Sequence, residues 1–158
     1  MPTAPPPSQD RVPTLADIQA ARLRIAGQVL RTPVRRSMAL SQQVGVPVWL
    51  KLEHHQTTGS FKLRGATNAV RSLSPEARTN GLVTVSSGNH GRALAQAAAE
   101  NGVRCIVCLS QLVPQNKVMA IRLLGAEVRI AGASQDEAQE EAERLAANEG
   151  FIFVPPFD

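Results

Sequence analysis

The sequence has 158 residues, of which 43% are hydrophobic and 3% aromatic, with 17 basic against 13 acidic side chains. This supplies enough apolar side chains for one ordinary domain, or for a small domain plus part of another. Because the arginines are scattered and aromatic stacking platforms are scarce, we expect no nucleic-acid binding. No apolar run approaches about 18 residues and the N-terminus lacks a leader pattern, so we expect no membrane span and a cytoplasmic location.

The first part of the chain predicts a tail, two helices and a strand. Residues 1–13 are rich in proline and predict a disordered or extended tail. Thr14 and Asp17 have the spacing of a capping box, which predicts a helix from Thr14 to about Val29. The next segments predict, in turn, an extended turn, a short helix closed by glycine and a strand: RTPVRRS at 31–37, SMALSQQVG at 37–45 and VPVWLKLE at 46–53.

From Gly81 onward, short apolar runs alternate with helical segments. The runs LVTVS, RCIVCLS, EVRIAG and FIFVP predict strands, and helices are predicted near 89–101, 114–124 and 134–149. Such alternation is typical of a parallel sheet with right-handed crossovers. The sequence therefore predicts an α/β fold, with residues 81–157 as one compact unit.

The cysteines and histidines do not predict a metal site. Cys105 and Cys108 form a C-x-x-C pattern, but the surrounding residues predict a buried strand, in which positions three apart lie on opposite faces. His54 and His55 would point apart if the preceding strand continued through them. His90 has no second ligand at metal spacing. We interpret both cysteines as structural and predict no metal.

The SSGNHG segment at 86–91 lies between a predicted strand and a predicted helix. Ligands bind at the carboxyl ends of parallel strands, and the backbone N–H groups there suit a carboxylate or a phosphate. A glycine-containing turn with a serine or asparagine N-cap explains the same residues, and spacing alone does not choose between them. The G-x-S-x-G pattern of acyl-transfer enzymes is absent, so Ser87 is not interpreted as their nucleophile.

Lys62 lies in the first turn of a predicted helix, within TTGSFKLRG. The helix dipole disfavours a cation there, so the free amine is favoured, and a free amine can attack a carbonyl or take up a proton. Gly59 would provide a tight turn, Ser60 the cap and Phe61 an apolar neighbour, while Arg64 would add like charge. For the tripeptide SFK alone, an exposed lysine in a slightly unfavourable position is the simpler interpretation.

Several segments together resemble the threonine/serine dehydratase family of pyridoxal-phosphate (PLP) enzymes, of fold type II. They are KLE at 51–53, TGSFKLRGA at 58–66, SSGNHG at 86–91, LVPQNKVMAIRLLGAEV and the closing VPPFD. The resemblance implies a three-layer open parallel sheet, with a complete small domain at 81–157 and the N-terminal portion of a large domain at 14–75. The sequence contains no run of four glycines to bind the cofactor phosphate. Without that anchor for the cofactor, we expect these residues to be inactive alone. The resemblance also leaves much of the large-domain core without its partners, so we expect the apolar strand at 46–52 to be exposed and these residues to be poorly stable alone.

The same resemblance implies roles for individual residues. Lys62 would hold PLP as a Schiff base, Phe61 would flank its ring, and Asn89 would bind its 3′-oxygen. The substrate carboxylate would be bound by four residues of the loop: Ser86, Ser87, Asn89 and His90. Ser87 also corresponds to the acid/base of related racemases.

The implied reaction is β-elimination from a small hydroxy amino acid, threonine or serine, to give a 2-oxo acid and ammonia. The resemblance further implies that the full-length enzyme is a homo-oligomer. A dehydratase of hydroxyectoine utilisation and a serine racemase are alternatives within the family. A non-catalytic phosphate-binding α/β module is an alternative outside it.

Overall fold

The computed structural model describes residues 12–156. Residues 1–11 of the predicted proline-rich tail, and Phe157 and Asp158 of VPPFD, lie outside the described residues. Within that range the helices are α1 Leu15–Arg24, α2 Met38–Val44, α3 Lys62–Ser72, α4 Pro75–Thr79, α5 Asn89–Glu100, α6 Gln115–Leu123 and α7 Gln135–Glu149. The strands are β1 Val34–Ser37, β2 Val48–Lys51, β3 Leu82–Val85, β4 Cys105–Leu109, β5 Glu127–Ile130 and β6 Ile152–Phe153.

Four parallel strands form the main sheet, in the order β5-β4-β3-β6. In the register, Leu82 of β3 lies opposite Cys105 of β4 on one side and Ile152 of β6 on the other. Every residue of β3 and β4 is buried, as is typical of parallel strands covered on both faces. The predicted α/β fold with a parallel sheet is confirmed.

Alternate residues of β4 enter two separate cores. Cys105 and Val107 pack in the core that contains residues of α3, α5 and α6, whereas Ile106 and Cys108 pack in the core that contains residues of α7. The sheet is thus the middle of three layers, and the prediction that the cysteines lie on opposite faces is confirmed. Burial raises the pKa of the Cys105 thiol to about 12 and that of Cys108 to about 11, so both thiols stay protonated at neutral pH.

Helix α3, which begins at Lys62, belongs to the core of the parallel-sheet unit. Its buried side chains Leu63, Ala66 and Val70 lie three or four residues apart and so share one face of the helix. They pack in the same core as Leu94 of α5. The lysine is therefore carried by a helix fixed to the sheet. The domain boundary expected between 75 and 81 stays a prediction.

The segment before α3 differs from its prediction in two places. The capping box of Thr14 and Asp17 forms, with the Thr14 N–H donating to Asp17 Oδ2 over 2.7 Å, but α1 ends at Arg24 rather than Val29 and buries no residue. The extended turn predicted at 31–37 contains strand β1, which pairs with β2 in an antiparallel ribbon.

The strand predicted in VPVWLKLE is confirmed as β2, and three of its four residues are exposed. Trp49 is 61% exposed. This agrees with the expectation that this apolar strand lacks cover in these residues. No helix among residues 12–156 combines the length and the apolar composition that crossing a membrane requires.

Candidate active site

The candidate site lies where β3 and β6 end. β3 ends at Val85 and leads into the SSGNHG turn, and β6 ends at Phe153 and leads into residues 154–156, here called the strap. Because the two strands are parallel neighbours, both connections leave the same edge of the sheet. The Val154 N–H donates to Val83 O over 2.9 Å and ties the beginning of the strap to β3.

The amine of Lys62 meets the strap at this edge. Lys62 Nζ donates a hydrogen bond to Pro156 O over 2.7 Å. The Phe61 ring lies beside the amine, with its centroid 5.7 Å from Nζ, and that residue is 61% exposed. Lys62 itself is half-buried. The structure thus places the predicted lysine and its predicted apolar neighbour side by side.

The first turn of α5 meets the same strap. His90 Nε2 lies 3.2 Å from Val154 O, and Thr84 Oγ1 donates to that oxygen over 2.7 Å. His90 is buried, so this contact holds the beginning of α5 against the strap. The strap therefore contacts Lys62 at Pro156 and the SSGNHG segment at Val154, two residues apart.

The SSGNHG turn is tight. Ser86 Oγ accepts a hydrogen bond from the Gly88 N–H over 3.3 Å. A Cβ on Gly91 would lie 2.1 Å from Ser86 O, so the backbone of α5 approaches the turn more closely than any side chain permits. Within residues 12–156, the side chains of Ser87 and Asn89 form no hydrogen bond, and Asn89 is exposed. Both are available to a ligand at the edge of the sheet.

Helices α3 and α5 both begin without a side-chain cap or an acidic residue in the first turn. By contrast, α1 and α7 each begin with a capping box. The first N–H groups of α5 are therefore free of side-chain caps at the place where an anion would bind.

The prediction that Ser60 caps α3 is wrong, because the N-cap residue is Phe61 and Ser60 Oγ is buried with no hydrogen-bond partner in the described residues. The tight turn at Gly59 is confirmed by its φ of 77°.

These groups fit a PLP cofactor with a carboxylate substrate. A primary amine is what the cofactor aldehyde condenses with, and the Phe61 ring can pack against its pyridine ring. The Asn89 amide can donate to the 3′-oxygen attached to that ring. The uncapped first turn of α5 can bind a carboxylate. The Ser60 hydroxyl, which has no hydrogen-bond partner among residues 12–156, adds a polar group just before the lysine.

Sequence reasoning missed a salt bridge between Arg64, in the first turn of α3, and Glu53. Arg64 binds Glu53 with two hydrogen bonds, Nε to Oε2 over 2.9 Å and Nη2 to Oε1 over 2.8 Å. Thr32 Oγ1 donates to Glu53 Oε1 over 2.5 Å, and Arg64 Nη2 also donates to Leu30 O over 3.0 Å. The expectation that Arg64 adds like charge beside Lys62 is therefore wrong, because its charge is paired with Glu53.

The Glu53 carboxylate is stabilised in its charged form. The hydrogen bonds from Arg64, reinforced by Thr32 and opposed by partial burial, lower the pKa of Glu53 to about 2. Nothing in the spacing of KLE and SFKLRG shows this pair, because Glu53 belongs to a short 3-10 helix and Arg64 to α3.

We expect Glu53→Gln to lower stability at neutral pH by about 1–2 kcal/mol, because it leaves the partly buried Arg64 without its counter-ion. Since the pKa of Glu53 is lower in the folded chain, its contribution is complete above pH about 4.5 and declines as the pH falls toward 2. Urea unfolding from pH 3 to 7 measures this. Glu140→Gln, at an exposed position, is the control. A stability difference that stays constant down to pH 3 would contradict the role assigned to the carboxylate.

The two neighbouring histidines do not point apart. The strand ends at Lys51, His54 and His55 lie in the 3-10 helix, and their ring centroids are 4.3 Å apart. The expectation, which assumed a continuing strand, is wrong because the backbone turns at Glu53. Among residues 12–156, no group of three His, Cys, Asp or Glu side chains could hold a metal ion.

Comparison with known proteins agrees with this geometry. The family described as "Pyridoxal-phosphate dependent enzyme" matches residues 25–158. A Sinorhizobium fredii protein that carries the name threonine dehydratase is 57% identical over 145 residues, which are 92% of this chain and 44% of that protein.

Two solved structures have the same fold. Serine racemase from Dictyostelium discoideum superposes with a TM-score of 0.86 at 37% identity, over 92% of this chain and 47% of that one. The threonine deaminase of T.th. gives a TM-score of 0.82 at 39% identity, over 92% and 46%. The chain thus spans less than half the length of these relatives. The expected fold type II is confirmed, and the chain belongs to the family of pyridoxal-phosphate dependent enzymes.

Proposed function

We propose that these residues form the lysine-bearing part of an active site that eliminates water and ammonia from threonine or serine. The observation that carries the proposal is the position of the Lys62 amine, 2.7 Å from Pro156 O, on the strap that also contacts the first turn of α5. The names of the relatives, threonine dehydratase and threonine deaminase, support the reaction class. The chain spans less than half of those proteins, so the activity is proposed for the longer enzyme.

Lys62 has two tasks in this proposal. It would hold the cofactor through its amine, and, once the substrate amine has replaced it, it would take the proton from the substrate Cα. A neutral lysine amine retains two N–H groups, so it can stay hydrogen-bonded to Pro156 O while its lone pair reacts. When bound, PLP supplies an electron sink for the electrons left at Cα.

The SSGNHG turn would orient the substrate. The backbone N–H groups at the start of α5, with the Ser87 and Asn89 side chains, would bind the carboxylate and fix the Cα–H bond toward Lys62. Ser86 shapes this turn through its bond to Gly88, and His90 holds the turn to the strap. The water lost with the β-hydroxyl returns when the product imine is hydrolysed, so the net products are a 2-oxo acid and ammonia.

The reaction is tested with threonine and serine as substrates. Ammonia and the 2-oxo acid are measured for the 158-residue chain with PLP, and again after the C-terminal portion of the Sinorhizobium fredii relative is supplied. We expect release only in the second case, because the sequence contains no run of four glycines to bind the cofactor phosphate. Absence of release in both cases, with the two portions bound to each other, would contradict the proposed reaction.

Racemisation is a second candidate. The Ser87 hydroxyl is unengaged within the described residues, and a serine racemase is among the structural neighbours. Formation of D-serine from L-serine in the same assay, lost in Ser87→Ala, would support it. A non-catalytic phosphate site would instead bind inorganic phosphate equally well in Lys62→Ala. The hydroxyectoine-derived substrate, the homo-oligomer and the cytoplasmic location stay predictions.

A further inference from the structure

We propose that Glu53 and Arg64 are positioning residues that set the direction of the Lys62 amine. The inference rests on the proposed function of Lys62 and deepens it, because it names what holds the reacting nitrogen in place. It concerns the ion pair of Arg64 with Glu53 and the contact of Arg64 with Leu30 O.

The first turn of α3 needs an anchor of this kind. It has no side-chain cap and no acidic residue, and it carries two cations, Lys62 and Arg64, at the end of the helix where positive charge is disfavoured. Without a counter-charge this turn would tend to fray. Glu53 supplies that charge from outside the helix, through two hydrogen bonds to one guanidinium.

The geometry explains how the anchor acts on the lysine. Residues two apart on a helix differ by about 200° around its axis, so Lys62 and Arg64 leave α3 on nearly opposite sides. Lys62 reaches the strap at Pro156 O, while Arg64 reaches back to Glu53 and Leu30. The two hydrogen bonds from Arg64 to Glu53 on one side, and the hydrogen bond from Lys62 to Pro156 O on the other, restrain the first turn of α3 against rotation about the helix axis. Gln56 strengthens the anchored side, since its side chain bonds both the N–H and the carbonyl of Leu30 over 2.8 and 3.1 Å.

A matched salt bridge elsewhere in the chain provides the control. Arg144 binds Glu141 with two hydrogen bonds of 2.7 and 3.0 Å, and the Glu141 side chain is 18% exposed, as is that of Glu53. That pair lies on α7, in the layer on the other side of the sheet. Arg144→Gln therefore removes a similar ion pair far from Lys62.

The test uses the three lysines of the chain, Lys51, Lys62 and Lys117, as competing sites for one reagent. The chain is incubated with PLP, the adducts are fixed with borohydride, and label at each lysine is counted by peptide mass spectrometry. The exposed Lys117 serves as the internal reference. The induced circular dichroism of the adduct band, which requires a fixed orientation, is recorded before reduction. Thermal unfolding shows that each variant is folded at the labelling temperature.

In the wild type we expect label to favour Lys62 over Lys117. Arg64→Gln and Glu53→Gln should each reduce this preference about tenfold and abolish the induced signal, because a displacement of about 1 Å is enough to misalign a reacting group. Arg144→Gln should change neither the labelling preference for Lys62 nor the induced circular dichroism. If Arg64→Gln is unfolded, Glu53→Gln decides the result.

Two failures are distinguishable. If the wild type shows no preference for Lys62, either alone or with the C-terminal portion of the Sinorhizobium fredii relative supplied, the proposed function fails. If the wild type shows the preference and both folded variants keep it with their induced signal, the proposed function stands and the positioning role is overturned. If Arg144→Gln loses the preference as well, the effect belongs to general stability, and the positioning role is likewise overturned.

Discussion

Lys62→Ala is expected to abolish specific attachment of PLP to the folded chain. Only three lysines are present, and Lys62 is the one whose amine lies at the carboxyl edge of the sheet, hydrogen-bonded to Pro156 O beside the Phe61 ring. The substitution removes the amine that would condense with an aldehyde at that position. Attachment is measured as borohydride-fixed mass on the intact chain. It should fall to the low, unselective level expected of exposed lysines.

The control for this loss is Lys117→Ala, which removes an exposed lysine from α6 and should leave attachment at Lys62 unchanged. Lys62→Arg tests whether the positive charge at position 62 is enough for attachment, or whether a primary amine is required. A guanidinium retains the cation and can donate to Pro156 O, but it does not form a stable imine at neutral pH. If Lys62→Arg or Lys62→Ala still incorporated PLP as the wild type does, the assignment of Lys62 would be wrong.

The parts of the fold that sequence reasoning predicted are those with a strong local pattern. Continuous apolar runs such as LVTV and CIVCL, separated by helical segments, predict parallel strands buried on both faces. The capping box of Thr14 and Asp17 marks the start of α1 in the sequence itself. The lysine was found because a cation at the start of a helix conflicts with the helix dipole, and such conflicts concentrate at functional sites.

The parts that were missed depend on residues far apart in the chain. The proline and arginines of RTPVRRS predict a turn, yet VRRS pairs with β2 because that ribbon satisfies the backbone groups of both segments. Glu53 and Arg64 are joined only when the backbone turns after β2 and α3 begins. The bond from Lys62 to Pro156 O spans 94 positions, and no local pattern encodes it.

The same distinction applies inside the candidate site. Spacing located the SSGNHG turn at the end of a strand, but it did not predict the contact of His90 with Val154 O. The strap follows a strand only two residues long, and so its position is set by pairing with β3 rather than by its own sequence. The site is therefore assembled by the sheet, which brings the ends of β3 and β6 to one edge.

Gly91→Ala is expected to destabilise the chain by about 2–4 kcal/mol and to open the SSGNHG turn. The backbone φ of Gly91 is not unusual, so the reason is space rather than conformation. A Cβ there would lie 2.1 Å from Ser86 O and 3.3 Å from Val107 Cγ1, and neither the turn backbone nor the buried strand can move easily. Helix α5 would have to shift away from the turn, which would also lengthen the contact of His90 with Val154 O. Urea unfolding and amide exchange at residues 86–92 measure the two effects.

Gly65→Ala is the matched control, because Gly65 is also in the first part of a helix but has no atom within 4 Å of the position where a Cβ would lie. Alanine is the better helix former by about 1 kcal/mol, so this variant should be as stable as the wild type or more so. If Gly91→Ala lowers the free energy of unfolding while Gly65→Ala leaves it unchanged or raises it, the cause is the close approach of α5 to Ser86 and not the loss of a helical glycine as such. Equal effects would contradict the proposal that Gly91 is required for the tight turn on which the orientation of Ser87 and Asn89 depends.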